Sequence, residues 1–163
     1  MPHIEKTSGF SLVELMVVIS LVAVFSAVAM PSFNFFIRSN KVQSTGTELY
    51  NLFEYARAEA ITRAESVEIS QTGSSWTLKT ASSSGINNTI KELQISDPNI
   101  TITASSKNIK YLTNGTTSSI LNIIICSNND ATRGQKLTIE RTGKIKLSKQ
   151  GRDENDRVLN RCS

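Results

Sequence analysis

Few residues in this chain have the types and spacing that chemistry needs. The 163 residues include two cysteines, Cys126 and Cys162, and one histidine, His3. A lone histidine at the N-terminus excludes histidine-dependent triads and histidine-based metal sites in the body of the chain. Two cysteines without a CxxC spacing do not make a zinc site. In an exported protein they would form one disulfide tying the C-terminus to the body. That bond closes a loop of 36 residues, worth about 3–4 kcal/mol on chain-entropy grounds. In a reducing cytosol they would instead be two buried thiols. Glu65 and Glu68 have no acid/base spacing, no glycine-rich phosphate loop is present, and no nucleophile has an adjacent base. The expectation is a chain that is not an enzyme and uses no cofactor or metal.

One carboxylate has an unusual setting. Glu14 is the single charge in the 21 residues from Phe10 to Met30, FSLVELMVVISLVAVFSAVAM. As a helix this run spans roughly 30 Å, the thickness of a bilayer core. An acid there costs about 2–3 kcal/mol on insertion scales, so it points to a function. Three membrane readings compete: a cleaved secretory signal with Ala27-Val28-Ala29 as its site, a permanent anchor, and a processed filament subunit. The first would need an apolar region that is too long and contains Glu14. Charge bias around the span gives no orientation, because Lys6 is offset by Glu5.

The order Ser8-Gly9-Phe10-Ser11-Leu12-Val13-Glu14-Leu15 resembles the class III signal of type IV pilins and type II secretion pseudopilins. The resemblance implies cleavage by a prepilin peptidase between Gly9 and Phe10 and N-methylation of Phe10. It also implies that Glu14 pairs with the new amine of a neighbouring subunit during assembly, with the leader in the cytoplasm and the body outside. A glycine before the cut lets a protease approach the backbone closely.

The elements that would carry these residues follow from periodicity. Pro31 is expected to interrupt the apolar helix, and 38–46 to bend or loosen it. Leu49, Leu52, Phe53, Ala56 and Ala60 then recur at i, i+3, i+4, i+7 and i+11, one stripe of an amphipathic helix ending near Arg63. Phe33, Phe35 and Phe36 are expected to face neighbouring helices in a filament. Short Ile- and Thr-rich runs follow, predicted as strands over 67–71, 76–80, 89–96, 100–104, 109–112, 120–126, 136–141 and 144–148. Thr142-Gly143 reads as a hairpin turn, and 120–126, apolar on both faces, as the central strand. The fold class is α+β, a long N-terminal helix packed on an antiparallel β head. The expected organisation is a leader over 1–9, a transmembrane or filament-core helix over 10–30, an amphipathic helix over 31–65 and a β-rich head over 66–163.

This head is similar to the GspH/FimT/FimU family of minor pilins and pseudopilins. The matching residues are Tyr55-Ala56-Arg57-Ala58-Glu59-Ala60-Ile61-Thr62-Arg63, Trp76, and the late Gly143-Lys144-Ile145-Lys146. The resemblance implies a minor subunit of a type IV pilus initiation or tip complex, supporting pilus biogenesis and twitching motility. The runner-up is a type II secretion pseudopilin. Implied partners are the prepilin peptidase, other minor and major pilins and the inner membrane.

Charge adds one further candidate. Residues 10–132 carry 8 Lys+Arg and 9 Asp+Glu, whereas 133–163 carry 9 and 4. Lys144 and Lys146 share a strand face, and Arg152, Arg157 and Arg161 follow on the tail. Such a cluster could track DNA phosphates without reading bases. Some family members use a Gly-Arg-x-Arg element for DNA uptake; here both arginines are lysines, which lack the bidentate fork. Asp153, Glu154 and Asp156 further blunt the field. A solvated face with partner-pilin contacts is the competing reading.

Overall fold

The structure is a computed structural model that describes residues 11–81 and 88–162, without the side chains of Val28, Pro31 and Ser32. The Gly9–Phe10 junction lies outside the described residues.

Among the described residues one helix, α1 (Leu12–Arg63), precedes eight strands. Ser11 caps its start: the Ser11 hydroxyl accepts a hydrogen bond from Glu14 N–H at 3.2 Å, and the Ser11 carbonyl receives the Leu15 N–H at 3.2 Å. A serine cap with glutamate three residues on is the pattern that starts helices. The helix runs unbroken through position 31 and through 38–46, so Pro31 does not interrupt it. A proline inside a helix removes one N–H from the bond ladder and need not end the helix. At the far end Ala64 turns left-handed, φ 53, and stops it.

The chain divides into two compact units, Met1–Ile37 and Arg38–Ser163. In the first, the apolar side chains along α1 are exposed, from Leu12 at 73% to Ile37 at 40%. In the second, α1 buries a stripe formed by Val42, Thr45, Gly46, Leu49, Leu52, Phe53, Ala56 and Ala60. The predicted stripe is buried throughout, and it starts two turns earlier than expected.

That stripe packs on two four-stranded antiparallel sheets. The first contains β1 (Val67–Thr72), β2 (Ser75–Thr80), β3 (Thr89–Gln94) and β5 (Asn108–Tyr111), in the order β3-β2-β1-β5. The second contains β4 (Ile100–Ala104), β6 (Leu121–Ser127), β7 (Asp130–Ile139) and β8 (Ile145–Leu147), in the order β4-β6-β7-β8. Inward residues of both sheets, including Ile69, Trp76, Leu78, Ile123, Ile125, Leu137 and Ile139, complete one core with the helix stripe. Phe53 meets Trp76 edge to face, ring centres 5.7 Å apart.

β6 is an inner strand, as its apolar character predicts. β7 starts at Asp130, six residues before the predicted 136, because Asn128 and Asn129 at φ 50 and 60 form a tight hairpin turn. Between β7 and β8 the Glu140 N–H donates to the Lys144 carbonyl at 2.9 Å, which leaves Arg141 to Gly143 as the turn, with Gly143 left-handed at φ 78.

The C-terminal segment crosses the face of the second sheet that looks away from the core. Gly151 N–H donates to the Gly134 carbonyl at 2.7 Å, Cys162 is disulfide-bonded to Cys126, and the Thr103 hydroxyl donates to the Cys162 carbonyl at 2.8 Å. Gly134 permits this crossing: a Cβ there would lie 2.9 Å from both Cys126 Sγ and Leu159 Cδ2.

Candidate functional site

The predicted site residues fall in three places. Of the processing and assembly group, Gly9 and Phe10 lie outside the described residues, and Glu14 stands in the first turn of α1. An acid there opposes the positive end of the helix dipole. Beyond it run exposed Leu15, Met16, Val17, Val18 and Ile19, with Leu21, Val22, Val24 and Phe25 in the next turns. A helix segment apolar and exposed on all sides needs an apolar medium around it. Among the described residues no helix is long and apolar enough to cross a membrane. The insertion expected over 10–30 therefore rests on the sequence pattern, whose first residue is not described.

The cysteines form the expected disulfide. Their Cα atoms are 5.9 Å apart across a sequence separation of 36, and both residues are buried.

The basic residues are brought to the outer face of the second sheet and its edge, but not as a bare patch. Lys144 and Lys146 are both exposed. Lys146 Nζ lies 2.6 Å from Glu140 Oε1, and this bond, with the field of Lys144, holds the Glu140 carboxyl below its usual range. Arg152 donates to the Asp156 carbonyl at 2.7 Å and lies 3.9 Å from the Asp156 carboxylate. Lys136 pairs with Glu154 at 2.7 Å. Burial disfavours the Glu154 anion, but the Lys136 ammonium and a backbone N–H together outweigh it and lower its pKa. Asp153 is held ionised chiefly by the Arg157 N–H, which donates to it at 2.9 Å. The side chains of Arg157 and Arg161 are exposed and point from a strap pinned by the disulfide. The basic excess is thus partly neutralised in place.

Sequence reasoning missed the role of Arg57. This half-buried side chain donates from Nε to the Gly115 carbonyl at 3.2 Å and from Nη2 to the Thr142 carbonyl at 3.4 Å. It clamps the helix end to the loop after β5 and to the β7–β8 turn. A Cβ on Gly143 would collide with the Gly115 carbonyl and come within 3.0 Å of Arg57 Nε. The glycine of the Gly143-Lys144-Ile145-Lys146 element is therefore required by packing and by its positive φ. A polar residue beside the buried stripe was the available signal.

A long helix bearing an exposed apolar segment and a serine-capped acidic first turn, followed by a β head, defines a pilin-like subunit. The family described as Type II transport protein GspH matches residues 45–143, and the prokaryotic N-terminal methylation motif matches residues 6–30. The chain belongs to the GspH family. Among solved structures it is similar to the type IV minor pilin FimU of Pseudomonas aeruginosa. That likeness has a TM-score of 0.65 and 21% identity, covering 78% of this chain and 99% of that one. It is also similar to the minor pseudopilin EpsH from the type 2 secretion system of Vibrio cholerae. There the TM-score is 0.59 at 9% identity, covering 67% of this chain and 97% of that one. No curated protein sequence matches significantly. The family match ends at Gly143, so Lys144, Lys146 and the tail lie beyond it.

Proposed function

We propose that this chain is a non-catalytic minor pilin or pseudopilin, made as a precursor and built into a type IV pilus or type II secretion filament at its initiation or tip complex. Residues 10–30 hold it in the inner membrane with the head in the periplasm. The prepilin peptidase removes 1–9, Phe10 is N-methylated, and Glu14 meets the new amine of a neighbouring pilin as the helices pack. The observation that carries this reading is the row of exposed apolar side chains from Leu12 to Ile37. The sequence match to the methylation motif over 6–30 supports the processing step. Intact-mass measurement of the chain from its native membranes tests it. The expected mature species begins at Phe10 and carries one extra methyl group. A start at Met30 would mean an ordinary signal peptide and overturn the reading.

A second role, non-specific DNA binding during uptake, draws support from Lys144 and Lys146 being exposed together and Arg157 and Arg161 projecting from the strap. The Glu140, Glu154 and Asp156 partners oppose it. Gel shifts at low salt with the Lys144→Ala/Lys146→Ala variant decide. Loss of binding supports it, and no binding by the unaltered chain sinks it.

A further inference from the structure

Among the described residues the two open four-stranded sheets have four edges, and every edge strand presents a row of main-chain groups on which another strand could pair. Three edges are blunted. β3 carries Lys91 and Glu92 and meets a bulge between Leu78 and Lys79 of its partner. β5 is four residues long, carries Lys110, and its Asn108 carbonyl is occupied by the Ser106 hydroxyl at 2.9 Å. β8 has three residues, with Lys146 at its centre. β4 differs. Its sequence, Ile-Thr-Ile-Thr-Ala, has no charge and no proline, and it pairs with β6 in unbroken register.

The ladder shows which β4 groups are unpaired. Asn128 N–H donates to the Asn99 carbonyl and Ser105 N–H to the Asn122 carbonyl, at 2.9 and 2.8 Å. In an antiparallel ladder the bonded residues alternate, so 99, 101, 103 and 105 bond to β6. The N–H and C=O groups of Ile102 and Ala104 therefore point to the open side, along with the Ile100 carbonyl; the Ile100 N–H is taken by the Asp97 carbonyl at 3.1 Å. Beside this edge lies a groove of about 550 Å³ whose walls include Ile95, Ile100, Ile102, Gln71 and Ser74. Among the described residues that line the groove the one charge, Asp97, is already paired with Lys41.

We infer that the β4 edge is a strand-addition site, taking an extended, uncharged, β-branched segment of another filament subunit. The main chain of that segment bonds to Ile102 and Ala104, and its alternate apolar side chains cover Ile95, Ile100 and Ile102. A neutral occupant fits because the groove has no uncompensated charge for a charged one to meet. The inference rests on the filament-subunit reading and names a contact within it.

The test uses the full chain in cells that assemble the filament, with a photo-crosslinking benzoylphenylalanine at the exposed Thr101. The expected product joins position 101 to an uncharged stretch of a different subunit, located by mass spectrometry. Ala104→Pro removes an outward N–H without touching the β6 ladder, as prolines on edge strands do, and lowers that product by about tenfold or more. Ala104→Gly, which keeps the N–H, restores it. Equal cross-linking in Ala104→Pro, a product formed only between two copies of this chain, or no product from incorporated chain would overturn the inference. Failure of the unaltered chain to enter filaments would instead defeat the underlying reading. Because Ala104→Pro could fail to fold, amide exchange in the otherwise unaltered chain gives an independent arm. Exchange at Ile102 and Ala104 slows by about tenfold or more in the filament relative to the detergent-solubilised subunit, and unchanged exchange there also overturns it.

Discussion

The two parts of α1 use the same secondary structure for opposite purposes. Before Ile37, apolar residues occur on every side of the helix and stay exposed; after Arg38 they narrow to a stripe and become almost wholly buried. Phe25 is 71% exposed, whereas Phe53 is fully buried against Trp76. A continuous apolar run specifies a helix without specifying a neighbour within the chain, so its medium must come from lipid or other subunits. A periodic run specifies both the helix and the sheet it lies on. The first part is thus an assembly element and the second is the spine of a fold.

The strongest way to break this contrast is to truncate one phenylalanine in each part. Phe53→Ala is expected to destabilise the head by about 3–5 kcal/mol, the cost of an aromatic cavity in a closed core. Phe25→Ala should leave head stability within about 0.5 kcal/mol of the unaltered chain and impair filament incorporation. Urea unfolding followed by the fluorescence of Trp76, the only tryptophan, reads the head in both cases. A comparable loss in both variants would show that the first part is also held by the head.

The disulfide comes next. Cys126→Ser with Cys162→Ser should remove about 3–4 kcal/mol through the reopened loop and release the segment that crosses Gly134. Limited proteolysis after residue 149 would then become rapid, while cleavage within α1 stays unchanged. Gly143→Ala follows at about 1–3 kcal/mol, because alanine must accept a left-handed backbone and displace the Gly115 carbonyl from the Arg57 clamp. Calorimetric unfolding should show the loss. Arg57→Lys, which cannot fork to two carbonyls, should show a smaller version of it.

These features differ in how far the sequence exposes them. Leu49, Leu52, Phe53, Ala56 and Ala60 announce their burial by spacing, and eight strands are recognisable as β-branched runs between turn residues. The start of β7 is not, because Asp130 to Gly134 carries a single small apolar side chain, Ala131, and only Gly134 is buried, so no apolar alternation marks it. Nor is the division into two sheets legible, since it depends on which strands pair and not on their composition. The carboxylate partners of the basic residues are hidden for the same reason. Glu140 reaches Lys146 only across the β7–β8 register, and Glu154 reaches Lys136 only because the strap returns over the sheet. The Gly9–Phe10–Glu14 signal is the opposite case, a local order of residues that needs no tertiary structure to be recognised.

The smallest expected effect tests how the second part of α1 is tied down. Lys41, one residue before the stripe begins, pairs with Asp97 in the loop between β3 and β4. The Lys41 ammonium first, and the Asn99 N–H second, hold the Asp97 carboxyl below its ordinary value of 3.8. Because the folded carboxyl is the stronger acid, its contribution is present above the unfolded value and disappears as pH falls through the folded one. Lowering the pH from about 5 to about 3 should therefore reduce head stability. Lys41→Ala should reduce the part of that loss owed to the ion pair, while the Asn99 bond retains the remainder. The pair is partly exposed, so about 0.15 M salt should weaken the difference between the two chains. Matched urea titrations at both pH values measure it. Identical pH slopes would show that this end of the spine is held by Val42 and the Ser39–Gln150 bond without help from the charge.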